Sequence, residues 1–328
     1  MQTIRWGIIG CGAVTEVKSG PALQKAAHSS LAAVMRRNGE LAKDYARRHG
    51  VPRWYDNAGA LINDPEIDAI YIATPPDSHK TYTVSSAQAG KPVYVEKPMA
   101  LNFDECQDMI LACKSANVPL FVAYYRRSLP RFLKVKELVD TNSIGQVRCI
   151  NVTYYQPLTP KELNPQTLPW RVIPEVAGGG YFIDLASHML DFLDYVFGPI
   201  QLVHGFAANQ AKKYPAEDIV TGTFMFESGI HGVGTWCFTS FEKRDVTEIV
   251  GSKGRILYST FDNRPIILET GKGRVEFPID NPPHVQQPLI QTVVDALTGN
   301  GSCPSTGESA ARTSRVMDQM LNRTDKNN

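Results

Sequence analysis

The segment Pro92-Val93-Tyr94-Val95-Glu96-Lys97-Pro98 joins a short apolar run to two charged residues and a closing proline. Val93, Tyr94 and Val95 are β-branched or aromatic, which predicts a buried strand. Pro98 lacks a backbone N–H group and therefore ends that strand. In open α/β sheets, ligands bind beyond the carboxyl ends of the strands, so Lys97 is expected at a binding crevice. A lysine after a strand is also commonly solvated, so the assignment depends on the rest of the chain.

Strands and helices are predicted to alternate on both sides of this segment. Apolar runs indicate strands at residues 4–9, 31–35, 68–73, 92–95 and 119–123. Helices are expected between them, with Ser78 as the cap of a helix that runs to Ala89. This alternation is typical of an α/β domain with a doubly wound, mostly parallel sheet, which we assign to residues 1–123.

A glycine-rich turn follows the first predicted strand, with the sequence Gly10-Cys11-Gly12-Ala13-Val14. Two glycines in a strand–helix turn let backbone N–H groups approach a pyrophosphate at the helix N-terminus. Thr15 occupies the position of the third glycine, so the dinucleotide fingerprint is incomplete. A tight turn that only needs glycine dihedrals is the alternative.

The second predicted strand is followed by Arg36 and Arg37. An NAD enzyme commonly has an acidic residue at this point, which bonds the ribose 2′-hydroxyl. Two guanidinium groups suit a 2′-phosphate instead, because they can bind it in bidentate fashion. The sequence therefore favours NADP over NAD, with solvated loop arginines as the alternative.

A second loop of candidate cofactor contacts follows the third predicted strand. Thr74 and Pro75 begin it, and the prolines hold the chain extended beside the expected cofactor. His79 is grouped with the cofactor-binding candidates, although its main expected role is to pin this turn by hydrogen bonding.

Residues 124–328 are assigned to a second domain. After a helix at 129–141, strands are expected at 147–155, 220–226, 232–241 and 247–250. Their alternation predicts an α+β domain with a large open, mainly antiparallel sheet that is covered on one face. Because an uncovered sheet face often binds another sheet, we expect a homodimer or homotetramer that forms through this sheet.

One helix of the second domain carries candidate catalytic residues. It opens with Gly178-Gly179-Gly180 and contains Asp184 and His188. A spacing of four places these two on one helix face, where a carboxylate can orient an imidazole for acid/base catalysis. A surface pair is the alternative. Two metal ligands would have the same spacing, but the sequence shows no third ligand, so no metal is expected.

The composition excludes several classes of partner. The net charge of +1 does not favour nucleic acid or an acidic membrane surface. No apolar run is long enough to span a membrane, and residues 4–14 fit a strand and turn better than a signal peptide. Six scattered cysteines without zinc spacing indicate free thiols in the cytoplasm.

The glycine turn, Glu96-Lys97-Pro98 and the triple-glycine helix, in this order, resemble the Gfo/Idh/MocA oxidoreductases. The resemblance covers residues 4 to about 321. It implies a Rossmann domain followed by an α/β domain with a large open sheet. The family includes glucose–fructose oxidoreductases, inositol dehydrogenases and dimeric dihydrodiol dehydrogenases.

The resemblance also implies roles for individual residues. Lys97 corresponds to the family's catalytic lysine at the boundary of cofactor and substrate, and Asp184 and His188 complete the catalytic set. Cofactor contacts are implied for Glu96, Lys97, Arg126, Trp170 and Arg171, and substrate contacts for Lys97, Tyr125, Trp170, Asp184 and His188. The family commonly has another residue in place of Tyr125. Some dihydrodiol dehydrogenase-like members have tyrosine in place of His188, which makes this chain more similar to the inositol dehydrogenases.

These features predict an NAD(P)-dependent dehydrogenase or reductase. Its expected reaction is hydride transfer between NADP(H) and a secondary alcohol or ketone of a sugar, polyol or related small molecule. Two alternatives remain: redox-assisted elimination or hydrolysis of a glycoside with a retained cofactor, and a non-catalytic NADP(H)-binding regulator. Lys97, Asp184 and His188 argue against the regulator, which needs no acid/base group.

Overall fold

Buried apolar runs form a six-stranded parallel sheet in the first part of the chain. The computed structural model describes residues 3–323. The strands follow the order β3-β2-β1-β4-β5-β6, which is that of a Rossmann domain. They are β1 (Ile4–Ile9), β2 (Ser29–Met35), β3 (Arg53–Tyr55), β4 (Ala69–Ile72), β5 (Val93–Val95) and β6 (Leu120–Val122). The predicted α/β class and parallel sheet are confirmed.

The helices of this sheet begin at side-chain caps where asparagine is available. They are α1 (Gly20–Lys25), α2 (Gly39–His49), α3 (Ala58–Ile62), α4 (His79–Gln88) and α5 (Phe103–Ser115). Asn38, Asn57 and Asn102 cap α2, α3 and α5 by accepting backbone N–H groups. Ser78 occupies the predicted N-cap position of α4, but its side chain does not cap the helix: the hydroxyl lies 2.8 Å from Thr74 Oγ1 and 3.1 Å from the Pro75 carbonyl.

The chain divides into two units that differ from the predicted domains. The first contains the described residues up to Leu129 and also Pro282–Ala311, which includes helix α9 (Gln287–Leu297). Hydrogen bonds hold the returning segment: Tyr94 of β5 donates to Gln286, and Ser305 bonds the backbone of Val122 in β6. The predicted division into residues 1–123 and 124–328 does not include this later segment in the first unit. Contacts between residues about 190 positions apart leave no local pattern in the sequence.

The second unit is built on an eight-stranded sheet. It contains Pro130–Asn281 and the described residues from Arg312 onward. The strands are β7 (Val147–Tyr155), β8 (Ile200–Ala208), β9 (Ile219–Phe226), β10 (His231–Cys237), β11 (Arg244–Gly251), β12 (Gly254–Tyr258), β13 (Ile266–Thr270) and β14 (Gly273–Phe277). Their order is β14-β13-β12-β11-β7-β10-β9-β8, and every pair is antiparallel except β7–β10. This confirms the predicted open, mainly antiparallel sheet.

The two faces of this sheet differ in exposure. Helices α6 (Pro130–Asp140), α7 (Pro174–Ala177), α8 (Ser187–Phe197) and the later part of α10 (Gly307–Met320) belong to this unit. On the covered face, buried Trp236 of β10 donates from Nε1 to Met189 Sδ of α8 at 3.2 Å. On the other face, Leu202, Phe206 and Val233 are 54%, 78% and 47% exposed.

Candidate active site

The first unit carries the glycine turn at the carboxyl end of β1. Gly10 has φ +92°, and a β-carbon there would lie 2.7 Å from Thr74 Cγ2. A β-carbon on Gly12 would have only the Gly10 carbonyl within 4 Å, at 3.8 Å. The space beside Gly12 is therefore open, and a ligand can approach its backbone closely. This geometry fits the pyrophosphate of a dinucleotide.

A different glycine compensates for the missing third glycine of the turn. Thr15 donates its backbone N–H and its hydroxyl to the Gly12 carbonyl, and residues Thr15–Ser19 then form a π-helical turn. A β-carbon on Gly20 would lie 2.2 Å from the Tyr45 hydroxyl and 2.3 Å from the Thr15 carbonyl. Gly20 thus allows the first helical segment to pack closely against Tyr45 of α2.

The other residues of the turn differ in exposure. Ala13 is exposed, Val14 is half-buried and Cys11 is buried. Burial raises the pKa of the Cys11 thiol to about 11. The thiol therefore stays protonated at neutral pH.

Arg36 and Arg37 lie exposed just beyond the carboxyl end of β2. Within residues 3–323 neither forms an ion pair, whereas Arg48 of α2 bonds Glu16 and Asp44. Both arginines are thus available to an anionic ligand.

His79 joins the loop after β4 to the segment after Lys97. The side chain is buried, with Nε2 2.8 Å from the Thr74 carbonyl and Nδ1 3.1 and 3.2 Å from the Pro98 and Met99 carbonyls. Burial lowers the pKa of His79, while the surrounding carbonyl groups oppose that shift. These contacts match the structural role expected for it.

Glu96 and Lys97 directly follow β5. Glu96 is 7% exposed, and its Oε1 accepts hydrogen bonds at 2.6 Å from the Tyr71 hydroxyl and from Gln286 Nε2. Its Oε2 lies 3.2 Å from the donating backbone N–H of Lys97. Lys97 itself is half-buried, and the Lys97–Pro98 peptide is cis.

Tyr125 and Arg126 follow β6 in a 3₁₀ turn. The Arg126 guanidinium lies over the Tyr125 ring, 5.0 Å from its centre, and both residues are buried. Burial alone would raise the pKa of Tyr125, but the charges of Arg126, Lys18 and Lys97 lower it below its usual value. Arg127, by contrast, donates to the Pro304 carbonyl at 3.0 Å and serves the packing of the first unit.

In the second unit the triple glycine ends one helix and begins another. Gly178, at φ +76°, caps α7, and a β-carbon on Gly180 would lie 2.8 Å from the Glu217 carbonyl. Gly180 donates its N–H to Glu217 Oε1 at 2.8 Å. Burial raises the pKa of Glu217. The absence of a side chain at Gly180 therefore lets the segment before β9 pack against the helix start.

Asp184 and His188 lie in consecutive helical turns. Asp184 belongs to the π-helical turn Phe182–Ala186, and His188 is the second residue of α8. Asp184 is 8% exposed and accepts from Arg171 Nε at 3.0 Å. The Arg171 guanidinium stacks over the Trp170 ring at 4.5 Å. Arg171 thus links the predicted Trp170-Arg171 pair to the predicted catalytic carboxylate.

The His188 ring is buried and packs edge-on against Phe261, with ring centres 6.0 Å apart. Phe261 lies in the β12–β13 connection, whose backbone N–H groups at Thr260 and Phe261 donate to Asp245 at 2.9 and 2.6 Å.

Sequence reasoning missed Asp245, Phe261 and Gln286. For Asp245 a signal existed: it shares the inward register of Thr247 and Ile249 in β11, where a charged residue needs an internal partner.

No group of three or more His, Cys, Asp or Glu side chains suited to a metal ion occurs in the part of the chain that the structure describes. Among the same residues, no helix has both the length and the apolar character needed to cross a membrane.

Comparisons with known proteins connect this geometry to a family. A model of oxidoreductases with an NAD-binding Rossmann fold matches residues 4–124, and a GFO/IDH/MocA C-terminal domain model matches residues 132–257. Oxidoreductase P35 of Formosa agariphila is 42% identical over 316 residues, which cover 96% of this chain and 97% of the relative. The chain belongs to the GFO/IDH/MocA oxidoreductases.

Other known proteins are similar to this chain over most of its length. The 1,5-anhydro-D-fructose reductase of Ensifer adhaerens is 25% identical over 313 residues, 93% of this chain and 91% of the relative. Aldose-aldose oxidoreductase from Caulobacter crescentus, complexed with glycerol, superposes with a TM-score of 0.87 at 23% identity, covering 98% and 97% of the two chains. Levoglucosan dehydrogenase, complexed with NADH and levoglucosan, gives 0.87 at 22% identity, covering 98% and 96%. Membership makes this chain an oxidoreductase with an NAD(H)-binding Rossmann domain.

Proposed function

We propose that this oxidoreductase transfers a hydride between a nicotinamide dinucleotide and a secondary alcohol or ketone of a sugar or polyol. The observation that carries the proposal is Lys97, fixed at the carboxyl end of β5 beside the buried Glu96. The names of relatives that act on anhydrofructose, aldoses and levoglucosan support the substrate class.

The residues have distinct roles in the oxidising direction. A nicotinamide dinucleotide held at the Gly10–Gly12 turn would supply the acceptor for the hydride of the carbinol carbon. His188 removes the hydroxyl proton, so that the C–O single bond becomes a carbonyl. Asp184 orients His188 and supports its positive charge. Lys97 donates a hydrogen bond to the substrate oxygen and stabilises its developing negative charge. Tyr125 and Trp170 contribute to substrate binding.

Two single variants test these roles. Lys97→Met and His188→Asn are each expected to lower kcat by about 10²–10⁴-fold, because each removes a group that acts on the transferred proton or the developing charge. The dissociation constant of NADPH, measured by fluorescence, should change far less than kcat. Lys91→Met removes another lysine of the first unit and serves as the control. Near-wild-type kcat in both variants would contradict the proposal, and turnover without net reduction of the cofactor would favour the glycoside alternative.

We further propose NADP(H) rather than NAD(H) as the preferred cofactor, because Arg36 and Arg37 lie exposed beyond β2 and form no ion pair with the residues that the structure describes. The double variant Arg36→Ala/Arg37→Ala should lose roughly 10- to 100-fold in NADPH affinity, since charged hydrogen bonds contribute about 1.5–3 kcal/mol. NADH affinity should stay nearly constant. Arg47→Ala, which removes an exposed arginine of α2 paired with Asp44, is the control. Equal losses for both cofactors would show that these arginines do not read the 2′-phosphate.

For its assembly, we infer a homodimer or homotetramer that forms through the exposed face of the eight-stranded sheet. Phe206, Thr221, Thr235 and Thr153 lie side by side across four strands of this face, and apolar Leu202 and Val233 flank that row. A sheet face on which exposed apolar side chains flank a row of threonines suits an isologous contact with a second copy. The cytoplasm is the compartment we propose, since all six cysteines are unpaired.

A further inference from the structure

A buried network of side chains lies behind Lys97 in the first unit. The Tyr71 hydroxyl is 2.6 Å from Glu96 Oε1 and 3.0 Å from Ser19 Oγ. Gln286 Nε2 donates to the same Glu96 oxygen at 2.6 Å, and the Tyr94 hydroxyl donates to Gln286 Oε1 at 3.1 Å. The network therefore connects the helical turn after the glycine loop, two neighbouring strands and the returning C-terminal segment.

The chemistry of the donors fixes the direction of these bonds. An ionised carboxylate only accepts hydrogen bonds, so the Gln286 amide must turn its NH₂ group to Glu96 and its oxygen to Tyr94. Tyr71, Tyr94 and Gln286 are fully buried, and burial keeps the pKa of both tyrosines well above the usual value. Both tyrosines thus remain neutral donors.

The network holds the backbone as well as the side chain of the Glu96–Lys97 segment. Two donors saturate Oε1 of Glu96, which leaves Oε2 to accept from the Lys97 backbone N–H. The Tyr71 and Tyr94 rings stack at 5.0 Å and restrict sideways movement of the two phenols. Charge-assisted bonds of this kind are the stronger ones in a buried site.

We infer that Gln286 and Tyr71 are positioning residues for Lys97, which they control through Glu96. The inference rests on the proposed function, in which Lys97 acts on the substrate oxygen. Neither residue needs to touch substrate or cofactor. Gln286, 190 residues along the chain from Glu96, thereby gives the returning segment a part in catalysis.

Gln286→Met and Tyr71→Phe each remove one donor and keep most of the side-chain volume. Each is expected to lower kcat by about 10- to 100-fold, the cost of a misplaced catalytic group, while the NADPH dissociation constant changes less than about threefold. Because both act through Glu96, the double variant should lose little more than the worse single variant. Gln291→Met changes a glutamine of α9, the helix that begins directly after Gln286; Gln291 bonds Ala27 and Asp295, and this variant should behave as wild type.

Thermal unfolding and NADPH binding, measured on the same preparations, separate positioning from stability. Folded variants that bind NADPH and keep kcat within about twofold of wild type would overturn the inference, as would additive losses in the double variant. Lys97→Met distinguishes failure of the positioning role from failure of the proposed function. If it retains activity, the proposed function fails; if it is inactive while Gln286→Met and Tyr71→Phe are fully active, only the positioning role fails.

Discussion

Glu16 shows how one half-buried residue stabilises the first helical segment of the Rossmann unit. Its carboxylate accepts two hydrogen bonds from Arg48 at 2.8 Å each and lies 2.8 Å from His49 Nε2. The bonds from Arg48, followed by those from His49, lower the pKa of Glu16 from 4.5 to about 2. Because the pair is partly exposed, we expect its contribution to be under ~1 kcal/mol.

The sign of this shift predicts a pH dependence. The pKa of Glu16 is lower in the folded than in the unfolded protein, so its stabilisation is present above about pH 4.5 and is lost as the pH falls towards about 2. Glu16→Gln should therefore unfold at lower urea concentration than wild type at pH 7, and the difference should shrink below pH 4.5. Glu40→Gln, an exposed carboxylate of α2, is the control. A difference that stays constant from pH 7 to pH 3 would contradict this account.

At the scale of elements, the β12–β13 connection depends on one buried carboxylate. Asp245 is fully buried and accepts backbone N–H groups from Thr260, Phe261 and Asp262. Asp245→Asn places an NH₂ group against these donors, so we expect a loss of about 1–3 kcal/mol in urea denaturation and a lower kcat, since Phe261 packs on His188. Asp262→Asn, in the same connection but paired with Lys243 at the surface, should cost much less. Equal effects of the two changes would rule out this role for Asp245.

The same scale shows what local sequence patterns can predict. The strands β1, β4 and β5 were predictable because they are apolar runs of buried residues. The edge strand β14 was not predicted, because it is exposed along almost its whole length and lacks a buried face. The predicted site residues lie at strand ends and helix starts, where motifs are local. Gln286 and Asp245 were missed because their partners lie far along the chain or depend on a turn that no motif marks.

At the scale of the whole molecule, the exposed sheet face is the feature that governs assembly in our proposal. Phe206 lies on this face and is 78% exposed. A charge placed there by Phe206→Glu should oppose apolar contact with a second copy. We expect a shift towards the monomer in light scattering coupled to size-exclusion chromatography. Leu111→Glu is the matched control, because Leu111 is 66% exposed on α5 of the other unit. If both variants keep the wild-type mass, the dimer contact lies elsewhere.

The return of Pro282–Ala311 to the first unit has a consequence for biosynthesis. The ribosome synthesises the chain from its N-terminus, so β1 to β6 emerge long before Gln286 and Ser305 have been added. Until then Glu96 lacks one of its donors, and β6 lacks its backbone partner at Ser305. Completion of the nucleotide-binding unit must therefore wait until the second unit, which is inserted into it, has been synthesised. A shortened protein that keeps the whole nucleotide-binding unit would need the segment that begins at Pro282 joined to the segment that ends at Leu129.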